Sequence, residues 1–429
     1  MRRFLNILLG FLLLGSTALA EQRFPPPDFE SGYKIPAPTT PFARAEFLQY
    51  LDMAALLAAL GVSLWLVYRS RSRRGIAALS LCSLAYFGFY RKGCVCAIGS
   101  VQNVALAMFD SHYALPLTAL VFFLAPLVVA LFAGRAFCAA VCPQGAIQDL
   151  VLLKPIKVPA WLEHALGLIP SLFLGAGVIF AATGSGFIIC RYDPMVPFFR
   201  FNGSSLMLGV GAAFLLVGMF VGRPYCRFLC PYGALLRMAT AASQWRVRVT
   251  PDTCTQCALC QHSCPFGALR EPVPAAKSES LRGARKRLTV LLLLLPVWIG
   301  LGALGGSKLA TAASMVNPTV KLAERYVRSL SGGEKEPLEI QRAEKNPEPV
   351  VASALDIRKR FELCGWLFGG WAGLVLGAKF IALSTRRKRS DFEPDPGACY
   401  ACARCFETCP SERIRRGLMP VELEPTNKE

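Results

Sequence analysis

The residues best equipped for chemistry are sulfurs: the chain holds 17 cysteines against 3 histidines in 429 residues. Cys254, Cys257, Cys260 and Cys264-Pro265 follow the spacing C-x2-C-x2-C-x3-C-P, and so do Cys399, Cys402, Cys405 and Cys409-Pro410. Bacterial two-cluster ferredoxins hold [4Fe–4S] clusters with this run, the fourth cysteine of each run serving the other cluster. The spacing therefore predicts one cluster on Cys254, Cys257, Cys260 and Cys409. A second falls on Cys399, Cys402, Cys405 and Cys264. Structural zinc on four thiolates is the competing chemistry. Zinc ribbons, however, pair C-x2-C with a second pair well downstream, and do not compress four cysteines into one short run ending in proline.

A second sulfur pattern is an internal repeat. Gly134, Arg135, Cys138, Cys142, Pro143, Gly145 and Ala146 recur, 88 residues on, as Gly222, Arg223, Cys226, Cys230, Pro231, Gly233 and Ala234. Two related C-x3-C-P loops thus present four thiols, Cys138, Cys142, Cys226 and Cys230. They could hold a third cluster, or be structural turns that hold nothing. A degenerate echo runs from Cys96 through Gly99 to Gln102, resembling Cys142 through Gly145 to Gln148. With Cys94, Cys190 and Cys364 it forms an outer group. Its open readings are a disulfide from Cys190 to Cys94 or Cys96, a metal centre, or unligated thiols. Cys82 reads as a small core residue. His112, His164 and His262 are too scattered for a bis-histidine haem, and no C-x2-C-H occurs. His262 reads as solvated and Asp193 as a turn residue. No phosphate-cradling loop is present.

The elements that position these residues read as membrane helices. Lys and Arg exceed Asp and Glu by 47 to 28, a formal charge of +19, yet only 17% of residues are charged and 54% are hydrophobic, with mean hydropathy +0.42. Such apolar content excludes disorder. The basic residues cluster between apolar runs and not along one face, which argues against a nucleic-acid binder. Residues 1–20 read as a signal peptide with Arg2-Arg3, an apolar run and Ala18-Leu19-Ala20. An extracytoplasmic segment, 21–48, follows. Seven crossings are expected, at about 49–68, 75–90, 114–133, 165–183, 204–222, 288–306 and 363–383. Arg69, Arg71, Arg73 and Arg74 place the first loop in the cytoplasm. Both C-x3-C-P loops and both ferredoxin runs then fall inside, the outer cysteines outside, and the C-terminus inside beside Arg386-Arg387-Lys388-Arg389.

The fold expected is an all-α membrane bundle in the bacterial inner membrane, with a small α+β two-cluster ferredoxin-like module on the cytoplasmic side. Its parts are a transmembrane region with both C-x3-C-P loops (49–248), a first ferredoxin half (249–287) and a helix (288–306). A periplasmic loop (307–362), a last helix (363–385), and a second ferredoxin half with the tail (386–429) complete it.

On these residues the chain resembles the membrane-bound polyferredoxins of the NosR and NapH type. Gly93-Cys94-Val95-Cys96, Gly99 to Asn103 and Cys190 to Pro194 tip the resemblance towards NosR. It implies electron delivery from the membrane or cytoplasm to a periplasmic acceptor. A departure is the short stretch ahead of the first helix, too short to fold around the flavin that NosR-type proteins carry there. A flavin would therefore come on a periplasmic redox partner, and a quinone is another relay across about 30 Å of hydrocarbon. The function expected is electron transfer between a quinol or cytoplasmic donor and a periplasmic reductase system. The alternative is a redox sensor or maturation factor for a periplasmic metalloenzyme such as nitrous-oxide reductase.

Overall fold

The computed structural model describes residues 45–93, 96–245, 247–249, 254–272, 281–330, 348–384 and 390–419. The expected signal peptide, most of segment 21–48, Cys94 and the basic run 386–389 lie outside the described residues. By its contacts the chain forms two units, Met1–Gln49 and Tyr50–Glu429. The described part of the first is residues 45–49, where a helix begins.

Among the described residues four helices are long and apolar enough to cross a membrane: Glu46–Ser70, Ala160–Ala182, Arg282–Ser314 and Val350–Ser384. The shortest, at 23 residues, reaches about 34 Å at 1.5 Å per residue, enough for the hydrocarbon core. These coincide with four of the seven expected crossings; the other three fall short, so seven becomes four. In place of 75–90 stand Arg73–Ser83 and a π-helical stretch, Leu84–Tyr90, which bury Ser80 and Ser83 along with Phe87. In place of 114–133 stands Leu117–Ala133, which starts at Pro116; its 17 residues span only about 25 Å. Ser205–Gly218, in place of 204–222, has 14. A further short helix, Ala97–Phe109, occupies an expected outer loop. An apolar run measures burial as well as lipid contact, and runs this short suit core helices. Phe122, Pro126 and Ala130 of Leu117–Ala133 are indeed buried in protein.

The last two long helices, Leu281–Ser314 and Glu348–Ser384, form a hairpin whose backbones touch. A Cβ on Gly369 would collide with the Gly302 carbonyl, one on Gly306 with the Gly365 carbonyl, and one on Gly373 with the Trp298 carbonyl. Small residues at such spacing let helices approach where no water drives them together. In the most apolar window of Arg282–Ser314 no residue is buried; Leu293, Leu301 and, across the hairpin, Leu367 face outward. The expected loop 307–362 is largely helical where described, with Pro318–Leu330 packed on the hairpin and Arg358 paired with Glu324 at 2.8 Å.

One two-stranded ribbon occurs among the described residues. Strand β1 (Leu269–Arg270) pairs antiparallel with β2 (Glu393–Pro394) in the register Leu269↔Pro394 and Arg270↔Glu393. It ties the segment after the first cysteine run to the segment before the second. The main apolar core, meanwhile, is built around sulfur: Cys138, Cys142, Cys226 and Cys230 lie in it with Tyr225 and Tyr232.

Candidate metal centres

Each ferredoxin-type run coils through left-handed backbone at equivalent places. Gln256 (φ 55°) and Ala258 (φ 57°) flank Cys257, and Ala401 (φ 53°) and Ala403 (φ 62°) flank Cys402. An L-residue held there costs roughly 1–3 kcal/mol, and both runs adopt the same shape. Helices Leu259–Ser263 and Arg404–Thr408 pack together, and Thr408 Oγ1 donates to Ser263 Oγ at 3.0 Å. Beside the ribbon, Arg270 pairs with Asp395 at 2.8 Å.

This joining brings Cys254, Cys257 and Cys260 around one cavity with Cys409, closed by Val249 and Phe392. The set is the crossed quartet that the spacing implies. Cys264 in turn lies within electrostatic reach of Cys399, Cys402 and Cys405. Burial pushes the Cys399 thiol up to about 12 and the Cys260 thiol up to about 11, in the latter with neighbouring thiols adding to it. Among the described residues no three His, Cys, Asp or Glu side chains are placed to hold a metal ion. A [4Fe–4S] cluster instead takes a thiolate at each iron, so its ligands ring a space and do not meet at a point. The four-thiol cavity suits that donor set better than a zinc ion.

The repeat forms a second sulfur site. Cys138 and Cys226 sit in the short helices Ala136–Ala140 and Pro224–Phe228, while Cys142 and Cys230 cap Pro143–Val151 and Pro231–Ala241. The C-P step has a physical reason: proline at the first helical position presets φ and lacks an N–H that would go unpaired. Cys230 Sγ accepts from the Gly233 N–H at 3.2 Å.

The two loops clasp each other through exchanged arginines. Arg223 donates to the Cys138 and Ala139 carbonyls, and Arg135 donates to the Gly233 carbonyl at 3.2 Å. A Cβ on Gly145 would lie 3.1 Å from Arg223 Nη1, and one on Gly233 3.1 Å from Arg135 Nη2. Each repeat's glycine thus makes room for the other's guanidinium. Asp149 accepts two further bonds from Arg223, at 3.0 and 2.8 Å. Burial works against the Asp149 charge, yet Arg223 outweighs it and holds the carboxyl below its usual value. Gln148 Oε1 accepts the Tyr225 N–H at 3.0 Å while its Nε2 donates to Cys226 Sγ at 3.3 Å. Burial, then neighbouring sulfurs, push Cys142 up to about 12 and hold Cys226 and Cys230 higher than an ordinary thiol.

An aromatic and cationic bridge joins the two sulfur regions. The Arg135 guanidinium lies 4.4 Å from the Tyr400 ring centre, and its Nη1 donates to the Gly397 carbonyl at 3.1 Å. Arg223 lies 5.4 Å from Tyr400 and 5.7 Å from Phe266, whose rings are 4.8 Å apart. Tyr400 follows Cys399 directly. The repeat displayed both arginines in the sequence, but nothing there tied them to residue 400.

Cys96 and Cys190 were expected across the membrane from the four core thiols. Instead Cys96 packs against the same core, within electrostatic reach of Cys142. Between Cys96 and Cys138 stand only the short helices Ala97–Phe109 and Leu117–Ala133. Cys82 is exposed and not in the core; His262 is exposed as expected. Cys364 lies inside Glu348–Ser384. Asp193 does make a turn, accepting the Met195 N–H at 2.9 Å, but is buried and also accepts from Gln144 (2.7 Å) and the Tyr225 hydroxyl (3.2 Å).

A 4Fe-4S binding domain matches residues 115–168, 204–250 and 258–276, which contain both C-x3-C-P loops, Cys260 and Cys264. YccM of Escherichia coli K12, named for electron transport, is 27% identical over 33% of this chain and 44% of its own length. MauN of Methylorubrum extorquens, named a methylamine utilization ferredoxin-type protein, is 30% identical over 30% of this chain and 46% of its own. NirI of Paracoccus denitrificans is 32% identical over 30% and 21%. The chain therefore matches less than half the length of each of these relatives. No solved structure matches. With sulfur grouped as above, the domain match and these relatives are consistent with a polyferredoxin-like protein that carries a 4Fe-4S binding domain.

Proposed function

We propose that the protein is a multi-pass component of the bacterial inner membrane that carries electrons between a quinol or cytoplasmic donor and a periplasmic reductase system, whose entry partner would be a flavoprotein. The observation that supports this most is the cavity Cys254, Cys257 and Cys260 share with Cys409. Bound clusters would supply one-electron transfer. Cys254, Cys257, Cys260 and Cys409 would hold one, and Cys264, Cys399, Cys402 and Cys405 the second. Cys138, Cys142, Cys226 and Cys230 fit a third, because four buried thiols lie beside two buried cations and one amide donor. Arg135, Arg223 and Gln148 offset thiolate charge there, and cations and N–H donors to sulfur raise a centre's potential. All four thiols are buried in the apolar core.

The test is iron and acid-labile sulfide per chain on anaerobically purified protein. Twelve of each, about four per cluster, is the expected result. About eight would leave the repeat loops empty and confine the reading to the ferredoxin runs; zinc without sulfide would end it.

A further inference from the structure

The Cys96 copy of the cysteine–glycine–glutamine pattern is left unused by this function. Cys96 caps Ala97–Phe109, and its Sγ accepts from the Ile98 N–H at 3.3 Å and from the Gly99 N–H. Gly99 leaves room for a second sulfur: a Cβ there would stand 3.0 Å from Cys190 Sγ. Gln102 Oε1 accepts the Cys190 N–H at 3.1 Å, as Gln148, at the same offset from Cys142, accepts the Tyr225 N–H. There the copies part. Gln148 Nε2 reaches Cys226 Sγ, whereas Gln102 Nε2, on a side chain with 0% exposure, has no hydrogen-bond partner.

A buried donor left unpaired costs about 1–3 kcal/mol. This one belongs to the side chain whose Oε1 already accepts the Cys190 N–H, and sulfur, a weak acceptor as a thiol, becomes a strong one as a thiolate. Burial pushes the Cys96 thiol up to about 12, with Asp193 adding to it, so a thiolate there needs added donors.

We propose that Cys96 and Cys190 form a reversible dithiol–disulfide couple, with Gln102 Nε2 as the donor that steadies the Cys96 thiolate during exchange. Cys190 is exposed and Cys96 only partly so, so an incoming dithiol meets Cys190 first. Its thiolate attacks Cys190 Sγ, the Cys96–Cys190 bond breaks, and Cys96 leaves as a thiolate held by the Ile98 and Gly99 N–H groups and Gln102. The second incoming thiol then resolves the mixed disulfide and releases Cys190. Two electrons and two protons pass from the incoming dithiol, which becomes a disulfide, to the pair, which becomes two thiols. Gln102 acts through Cys96 and is a positioning residue.

The experiment uses the whole detergent-solubilised protein, equilibrated in buffers of reduced and oxidised dithiothreitol, blocked with N-ethylmaleimide and read by peptide mass spectrometry. The peptides of Cys96 and Cys190 are expected to link and unlink together along a two-electron curve. Gln102→Leu should slow the exchange about tenfold and leave the midpoint in place, because the donor acts on the departing thiolate and not on the thiol that remains. A Cys94–Cys190 link, Cys96 alkylated at every potential, or protection of both sulfurs without a disulfide mass would overturn the couple. An unchanged exchange rate in a folded Gln102→Leu protein, checked by circular dichroism, would overturn the role of Gln102.

Discussion

Arg223 has no exposure and binds a carboxylate and two carbonyls of the opposite loop, so Asp149 is the carboxylate that balances its charge. Taking one partner from a buried pair typically costs about 3–5 kcal/mol. Arg223→Gln and Asp149→Ala should each lower stability by that order, and the double variant by less than their sum, as read from denaturant unfolding in detergent. The pair also sets an acid limit. Because the folded carboxyl titrates below its unfolded value of about 3.9, its contribution is complete above that pH and is lost as pH falls through the lowered value. Asp149→Asn should remove this part of the acid sensitivity. Ala403→Gly probes the opposite effect: glycine adopts positive φ without strain, so stability should rise by about 1 kcal/mol, with iron content unchanged. Cysteine identity and spacing were legible because thiolate ligation imposes local spacing. The arginine exchange was not, since a repeat shows that two loops are alike but not that they embrace.

At the scale of elements, hydropathy recovered the four long helices and overcounted three short ones. Leu117–Ala133 is as apolar as a crossing, yet its Phe122, Pro126 and Ala130 pack on protein. Sequence alone does not say whether an apolar face meets lipid or other helices. The glycines of the last hairpin, by contrast, were visible as residues but not as a contact surface. Gly369→Leu puts a side chain where the Gly302 carbonyl lies. It should separate the two helices and lower the unfolding temperature in detergent by several degrees, whereas Gly300→Leu, where a Cβ meets nothing, should leave it unchanged.

For the whole molecule, the sulfur sets stand in sequence: the Cys254–Cys409 cavity, the Cys264–Cys399 group, the Arg135–Tyr400–Arg223 bridge, and the four core thiols. Cys409→Ala should eliminate the same electron paramagnetic resonance signal as Cys254→Ala and leave that of the Cys399, Cys402 and Cys405 set. Loss of the other signal would reverse the crossed assignment. The crossing also governs biosynthesis. On the crossed assignment proposed above, each ferredoxin-type site would take its fourth cysteine from beyond the long hairpin, so a ribosome must deliver nearly the entire polypeptide before either site has four. A chain stalled after Ser384 carries one cysteine run intact and no place to complete it. On that assignment, filling of these two sites is deferred until both helices of the hairpin have been made, whereas the four core thiols are all present well before it.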